Sequence, residues 1–174
     1  MTYSTGAYPY GLAVSDFNND TRLDIIVANY YGNTVSVLLG YGNGSFANQA
    51  TYSAGITPFH VAVGDFNNDT LLDIVVTNSD KNNTVNVLLG YGNGSFANRV
   101  AYSTGTNPAF VAVADFNNDT YLDIAVTNLD DNTISVLLGY SDGSFAMQMT
   151  FSTGDLPFGL AVGNFNNDTR LDIL

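Results

Sequence analysis

A chain of 174 residues with sixteen aspartates, no glutamate, no cysteine and four lysines plus arginines carries a formal charge of −12. That balance excludes a basic, counterion-releasing surface for nucleic acid or for an anionic membrane face, and the absence of cysteine excludes disulfides and thiol chemistry. No apolar run approaches the ~20 residues of a membrane-spanning helix, and the length suits one domain with a buried core.

In chain order, the first unit reads as four short apolar segments: Tyr10 to Phe17, Asp24 to Asn29, Thr34 to Leu39 and Ala50 to Ser53. Val, Ile, Tyr, Phe and Thr dominate them, Gly, Asn, Asp and Pro part them, and no helical stripe runs long enough to compete. The reading is all-β. The same four-segment plan recurs, giving one region, 1–174, with repeats at about 3–51, 52–101, 102–150 and an incomplete 151–174. A period of that size marks a solenoid or a propeller.

Each segment has its own place in such a unit. On the first, Leu12 and Val14 alternate with Gly11, Ala13 and Ser15. A face of small residues predicts close backbone approach, as for the innermost strand of a blade. The second and third segments are apolar on both faces and are expected between stacked sheets. Gly42-Asn43-Gly44-Ser45, Gly92-Asn93-Gly94-Ser95 and Ser141-Asp142-Gly143-Ser144 predict tight turns between segments three and four. Pro9, Pro58, Pro108 and Pro157 close the connections into the next first segment.

Between segments one and two lies Asp16-Phe17-Asn18-Asn19-Asp20-Thr21-Arg22-Leu23-Asp24. It returns at 65–73, at 115–123 and, with Asn164 replacing the first Asp, at 164–172, in steps of 49, 50 and 49 residues. Oxygen-bearing side chains stand at loop positions 1, 3, 5 and 9, a spacing that can turn them, with one backbone carbonyl, onto a hard cation. Eleven of the sixteen aspartates lie in these four loops. Four divalent ions would bring the charge from −12 to about −4. Ordinary Asx turns are the alternative use of the same residues. Catalysis fits less well, because glycosidase chemistry needs two carboxyls with divergent pKa values across one cleft, and these sites are near-identical copies. His60, standing where sister repeats have Gly11 and Gly159, reads as a packing or hydrogen-bonding residue.

Tyr10-Gly11 and Phe158-Gly159 opening a strand, followed by Asp-x-Asn-x-Asp-x-x-x-Asp, resemble the FG-GAP (VCBS-type) repeat over the whole chain. That repeat builds the β-propeller of integrin α-subunits and of many secreted adhesion and carbohydrate-binding proteins. The resemblance implies a propeller of four-stranded antiparallel blades, about three and a half of them here, as a fragment or as part of a closed ring. It also implies three to four Ca2+ sites. The ligands would be Asp16, Asn18, Asp20 and Asp24 with the Arg22 carbonyl; Asp65, Asn67, Asp69 and Asp73 with that of Leu71; and Asp115, Asn117, Asp119 and Asp123 with that of Tyr121. The fourth set would be Asn164, Asn166, Asp168 and Asp172 with the Arg170 carbonyl, weakest for want of one charge. The family usually has Gly at loop position 6, where this chain has Thr21, Thr70, Thr120 and Thr169, so the loop must bend differently or carry strain.

The implied function is a non-enzymatic, calcium-binding module for adhesion or ligand recognition, extracellular or at the cell surface. The alternative is a propeller lectin holding carbohydrate between blades on aromatics such as Tyr30, Tyr41 and Tyr91. By analogy with the family, the contact surface lies opposite the Asp loops, at Tyr30, Tyr31, Asp80, Lys81 and Asp130. A protein or glycan ligand is expected, and no nucleic acid or membrane insertion. Self-association to close the ring is a further expectation. Asn43, Asn82 and Asn93 lie in glycosylation sequons. No signal peptide is visible at the start, where Met1 is followed by Thr-Tyr-Ser-Thr-Gly.

Overall fold

A computed structural model describes all 174 residues and contains strands only. β1 (Pro9–Ser15), β2 (Asp24–Asn29), β3 (Thr34–Leu38) and β4 (Ala50–Ser53) pair in sequence order as an antiparallel sheet. β5 (Pro58–Gly64), β6 (Asp73–Asn78), β7 (Thr84–Leu88) and β8 (Val100–Ser103) repeat it, as do β9 (Pro108–Ala114), β10 (Asp123–Asn128), β11 (Thr133–Leu137) and β12 (Met149–Ser152). β13 (Val162–Gly163) and β14 (Asp172–Ile173) form a two-stranded fourth unit.

The strands begin where proline ends a connection, since Pro9, Pro58 and Pro108 are first residues of β1, β5 and β9. Each first strand slips register just after its proline, which has no N–H for the ladder. β1 stops at Ser15 instead of running to Phe17, because the Asp16 carboxylate draws the following backbone into the loop. The glycine turns are part of longer β3–β4 connections pinched by single bridges, Gly40 to Phe46, Gly90 to Phe96 and Gly139 to Phe145.

β5 lies against both β1 and β9, so the first strands stand side by side and the sheets fan outward as propeller blades. Two apolar layers hold the stack. Phe17, Ile26, Val35 and Val37 of blade one meet Val61, Ile74, Val76 and Phe96 of blade two. Phe66, Val75, Val85 and Val87 then meet Val111, Ile124, Val126 and Phe145 of blade three. Phe96 sits edge-on to Phe17 and Tyr52, centroids 6.0 and 5.5 Å apart, and Phe145 does the same for Phe66 and Tyr102. Fully burying one such side chain contributes about 1.5–3 kcal/mol, so these two layers dominate stability.

Strands two and three are not wholly apolar, as expected from sequence, but carry a buried polar row. Asn29 donates to Ser36 (2.8 Å), and Ser36 donates to Gln49. Asn128, Ser135 and Gln148 repeat the arrangement, while Asn86 links Asn78 to Arg99 in blade two. These bonds offset most of the cost of burying the row; Asn29 Oδ1 also accepts from Gly6 N–H (3.0 Å), whereas its counterpart Asn128 Oδ1 has no partner.

Alternation of strand direction gives the stack two distinct ends. One holds the Asp loops and the glycine turns, joined where Gly40 N–H donates to Asp24. The other holds the β2–β3 type loops and the proline connections, joined where Tyr30 N–H donates to the Tyr8 carbonyl.

Candidate cation-binding loops and an axial aromatic face

The four Asp loops share one internal wiring. Asp16 Oδ1 accepts from Asp20 N–H (3.1 Å) and Oδ2 from Thr21 N–H (2.6 Å). Asn18 Oδ1 also accepts from Asp20 N–H, its Nδ2 donates to Asp20 Oδ2, and Asp20 Oδ1 accepts from Arg22 N–H. Asp65, Asn67 and Asp69 repeat these bonds, as do Asp115, Asn117 and Asp119. Positions 1, 3 and 5 are thus gathered on one curl of backbone. In the fourth loop Asn164 keeps the bond from Asp168 N–H but not one from Thr169, because an amide has one accepting oxygen where a carboxylate has two.

That curl requires left-handed backbone at positions 4 and 6. Asn19, Asn68, Asn118 and Asn167 adopt φ of 57 to 67°, and Thr21, Thr70, Thr120 and Thr169 adopt 69 to 75°. Of the two outcomes left open by threonine at position 6, strain is the one realised: the loop keeps its shape.

Position 9 behaves differently from the other three predicted ligands. Asp24, Asp73 and Asp123 are completely buried. Asp24 Oδ2 accepts from Phe17 N–H (2.9 Å) and Oδ1 from Gly40 N–H (2.7 Å). Asp73 takes Phe66 and Gly90, and Asp123 takes Phe116 and Gly139, in the same way. Asp172 accepts from Phe165 N–H alone. Each staple ties the loop to β2 and to the β3–β4 connection. Burial pushes the Asp73 carboxyl up to about 6, against the lowering effect of its two amide donors and with added repulsion from Asp69 and Asp65. Burial raises Asp123 likewise. On Asp115, slight desolvation works upward but is outweighed by amide donors from Thr120, Asp119, Asn118 and Asn117, which hold its carboxyl below the usual range.

As a cation site, each loop offers oxygen donors only, which suits a hard divalent ion. No three acidic side chains converge in any loop, because the third, at position 9, is committed to the blade interior. In the first three loops a cation would therefore rest on the carboxylates at positions 1 and 5, the Asn amide oxygen at position 3 and a backbone carbonyl, and in the fourth the Asn164 amide oxygen would replace one carboxylate. With that donor set the residues fit.

The expected contact residues lie at the opposite end, and the structure divides them. Tyr30 and Tyr31 join Tyr8, Tyr10, Phe59 and Phe158 around a cavity of about 390 Å3. Asp130 stands beside it, accepting from Asn107 Nδ2 (3.2 Å), whereas Asp80 accepts from its neighbour Asn82 and Lys81 makes no ion pair. Tyr41 and Tyr91 sit at the Asp-loop end, in glycine turns, so they share no pocket with Tyr30. Asn43, Asn82 and Asn93 are exposed. His60 stacks on Phe110 at 4.0 Å and is held below the usual histidine range by desolvation, with its buried Nδ1 unpartnered. Sequence reasoning missed Tyr8, Tyr10, Phe59 and Phe158 in this group. The available signal was that positions 8, 30 and 31 carry tyrosine only in the first repeat.

Stacked four-stranded meanders with a loop of fixed wiring in every unit define a β-propeller repeat protein. The chain matches the FG-GAP-like repeat at residues 16–76, 65–126 and 115–174, and belongs to that family. No curated protein matches its sequence. Solved structures share the fold at low identity. BBS1N, in a crystal structure of its complex with ARL6DN soaked with lead, is 12% identical with a TM-score of 0.64, over 99% of this chain and 51% of that one. A mutant Tc holotoxin pore of Photorhabdus luminescens is 18% identical with a TM-score of 0.55, over 93% of this chain and 8% of that one. The V. cholerae biofilm matrix protein Bap1 is 19% identical with a TM-score of 0.54, over 100% of this chain and 30% of that one. The chain therefore spans about half or less of each of these.

Proposed function

We propose that this chain is a non-enzymatic, calcium-stabilised propeller module that serves recognition or adhesion outside the cell. The observation that carries the reading is the loop built four times at one end of the stack, each copy gathering oxygen donors and excess negative charge. Uncompensated, the two carboxylates in each of the first three curls repel one another and weaken the hairpin they join. A divalent ion held by Asp16, Asn18, Asp20 and the Arg22 carbonyl, and by their counterparts, would remove that repulsion; supplying that charge is its whole chemical role. An affinity of ~0.1–1 mM, usual for extracellular modules, would keep such sites filled outside a cell. Sharing a fold with a biofilm matrix protein is in keeping with that setting. Near-identical sites in successive blades favour a scaffold over a catalyst, which needs a unique pair of groups with opposed roles.

Calorimetric melting in calcium and in chelator tests the reading. Calcium at a hundred times the dissociation constant should stabilise by about 2.7 kcal/mol per site, and the melting temperature should rise accordingly. Equal melting temperatures in the two buffers would remove calcium from the account.

A further inference from the structure

We infer that the aromatic cup at the end opposite the Asp loops binds a small quaternary ammonium ligand. This deepens the recognition part of the proposed function and does not depend on calcium. Six rings, from Tyr8, Tyr10, Tyr30, Tyr31, Phe59 and Phe158, surround about 390 Å3. They adjoin at 4.6 Å (Tyr8–Tyr31), 5.0 Å (Tyr30–Tyr31), 4.6 Å (Tyr10–Phe59) and 5.9 Å (Phe59–Phe158), three of these four pairs edge-to-face.

The first-repeat tyrosines separate the cup from ordinary packing. Tyr10, Phe59 and Phe158 occupy one shared repeat position, but the other three rings stand where the repeats disagree. Tyr8 corresponds to Thr57, Asn107 and Leu156; Tyr30 to Ser79 and Leu129; Tyr31 to Asp80 and Asp130. Fold demands are common to all copies, so they do not account for tyrosine at these positions in one copy only. The left-handed backbone at position 8 recurs in every copy (Tyr8 φ 55°, Thr57 50°, Asn107 57°, Leu156 52°), so the connection between blades imposes it, and tyrosine is a costly residue to place there. Tyr8 and Tyr31 stay 65% and 63% exposed, so burial in a core does not account for tyrosine there either.

Charge selects the ligand class. Ring faces carry negative potential, the chain as a whole carries −12, and Asp130 stands behind Asn107 at the cup wall with no lysine or arginine paired to it. The only ion pair in the structure is Arg22–Asp20, at the other end. An anion is therefore disfavoured. A primary ammonium would need three well-placed acceptors for its N–H groups, in a lining where eight of eleven residues are hydrophobic. A quaternary ammonium, weakly hydrated and without N–H groups, asks for none and gains the ring faces. A sugar would need more free donors and acceptors than Ser79, Asn107 and the tyrosine hydroxyls present.

Titration calorimetry of the full chain with choline and with its neutral isostere 3,3-dimethylbutan-1-ol tests this. Choline should bind at least tenfold more tightly than the isostere. Tyr31→Leu and Tyr8→Gly should each weaken choline about tenfold, glycine at position 8 relieving the strain so that the fold is kept. Tyr140→Leu, an exposed tyrosine at the Asp-loop end, should leave binding unchanged. Equal binding of choline and isostere in the unaltered protein overturns the proposal whatever the variants do. So does retention of choline affinity in both cup variants, or binding of a neutral sugar or of phosphatidylcholine vesicles with no response to free choline. Failure here with the calcium shift in melting intact leaves the module reading in place.

Discussion

Threonine at loop position 6 is the residue that fits its backbone least. The Asp16 carboxylate holds Thr21 N–H at 2.6 Å, and this bond, repeated by Asp65 and Asp115, keeps φ near 70°. A β-branched side chain there costs about 1–2 kcal/mol, and no threonine hydroxyl in the loops forms a bond that would offset it. Part of any gain from glycine is lost to the greater freedom of the unfolded chain. Thr70→Gly should therefore stabilise the protein by about 0.5–1 kcal/mol in urea unfolding with chelator present. Thr70→Ala, which retains Cβ at the same φ, should gain less. A destabilised Thr70→Gly variant would mean that the hydroxyl, not the backbone, decides this position.

At the scale of the strand pair, the buried Asp at position 9 is what joins loop, second strand and β3–β4 connection. Asp73→Ala would leave Phe66 and Gly90 N–H groups buried without acceptors, at about 1–3 kcal/mol each. Asp172 accepts one N–H, from the half-exposed Phe165. Unfolding in chelator should show Asp73→Ala losing about 3 kcal/mol or more and Asp172→Ala less than 1 kcal/mol; equal losses would refute the staple. Much of this unit could be read from sequence. Period, alternation and turn residues placed three of the four strands of blade one to within a residue, because each obeys a local rule. What was not legible depended on neighbours distant in sequence. Asp24 looks like its companions Asp16 and Asp20 until Gly40 is brought to it. Ser36, Asn86 and Ser135 look like solvent-facing residues in apolar strands until Gln49, Arg99 and Gln148 meet them. The aromatic cup draws on residues from 8 to 158, a convergence that only the curl of the blades produces.

For the molecule as a whole, identical positions in successive blades show what a neighbouring blade contributes. Val61 and Val111 are 3% and 1% exposed, buried against the blade before them, while their counterpart Leu12 is 59% exposed and Val14 is 49% exposed. At the other side Phe17 and Phe66 are each 2% exposed and Phe165 is 53% exposed. Next to it, Phe116, Val136, Met149, Phe151 and Ile173 line an apolar cleft of about 570 Å3 between blade three and the two-stranded unit. These two faces are made of the same positions that meet inside the stack, so one copy of the chain can offer its first-blade face to the cleft of another. Such a contact is heterologous, because the patches differ, and it extends or closes a ring according to its rotation. A charge of −12 on every copy opposes the contact, and four bound divalent ions would reduce it to about −4. Sedimentation equilibrium of this chain should therefore show an average mass rising with concentration, more steeply in calcium than in chelator. The double variant Leu12→Ser, Val14→Ser should suppress the rise without lowering the melting temperature, since both side chains are already largely in water. A monomer at every concentration in both buffers, or a double variant that associates as well as the parent, would show that these faces do not recognise one another.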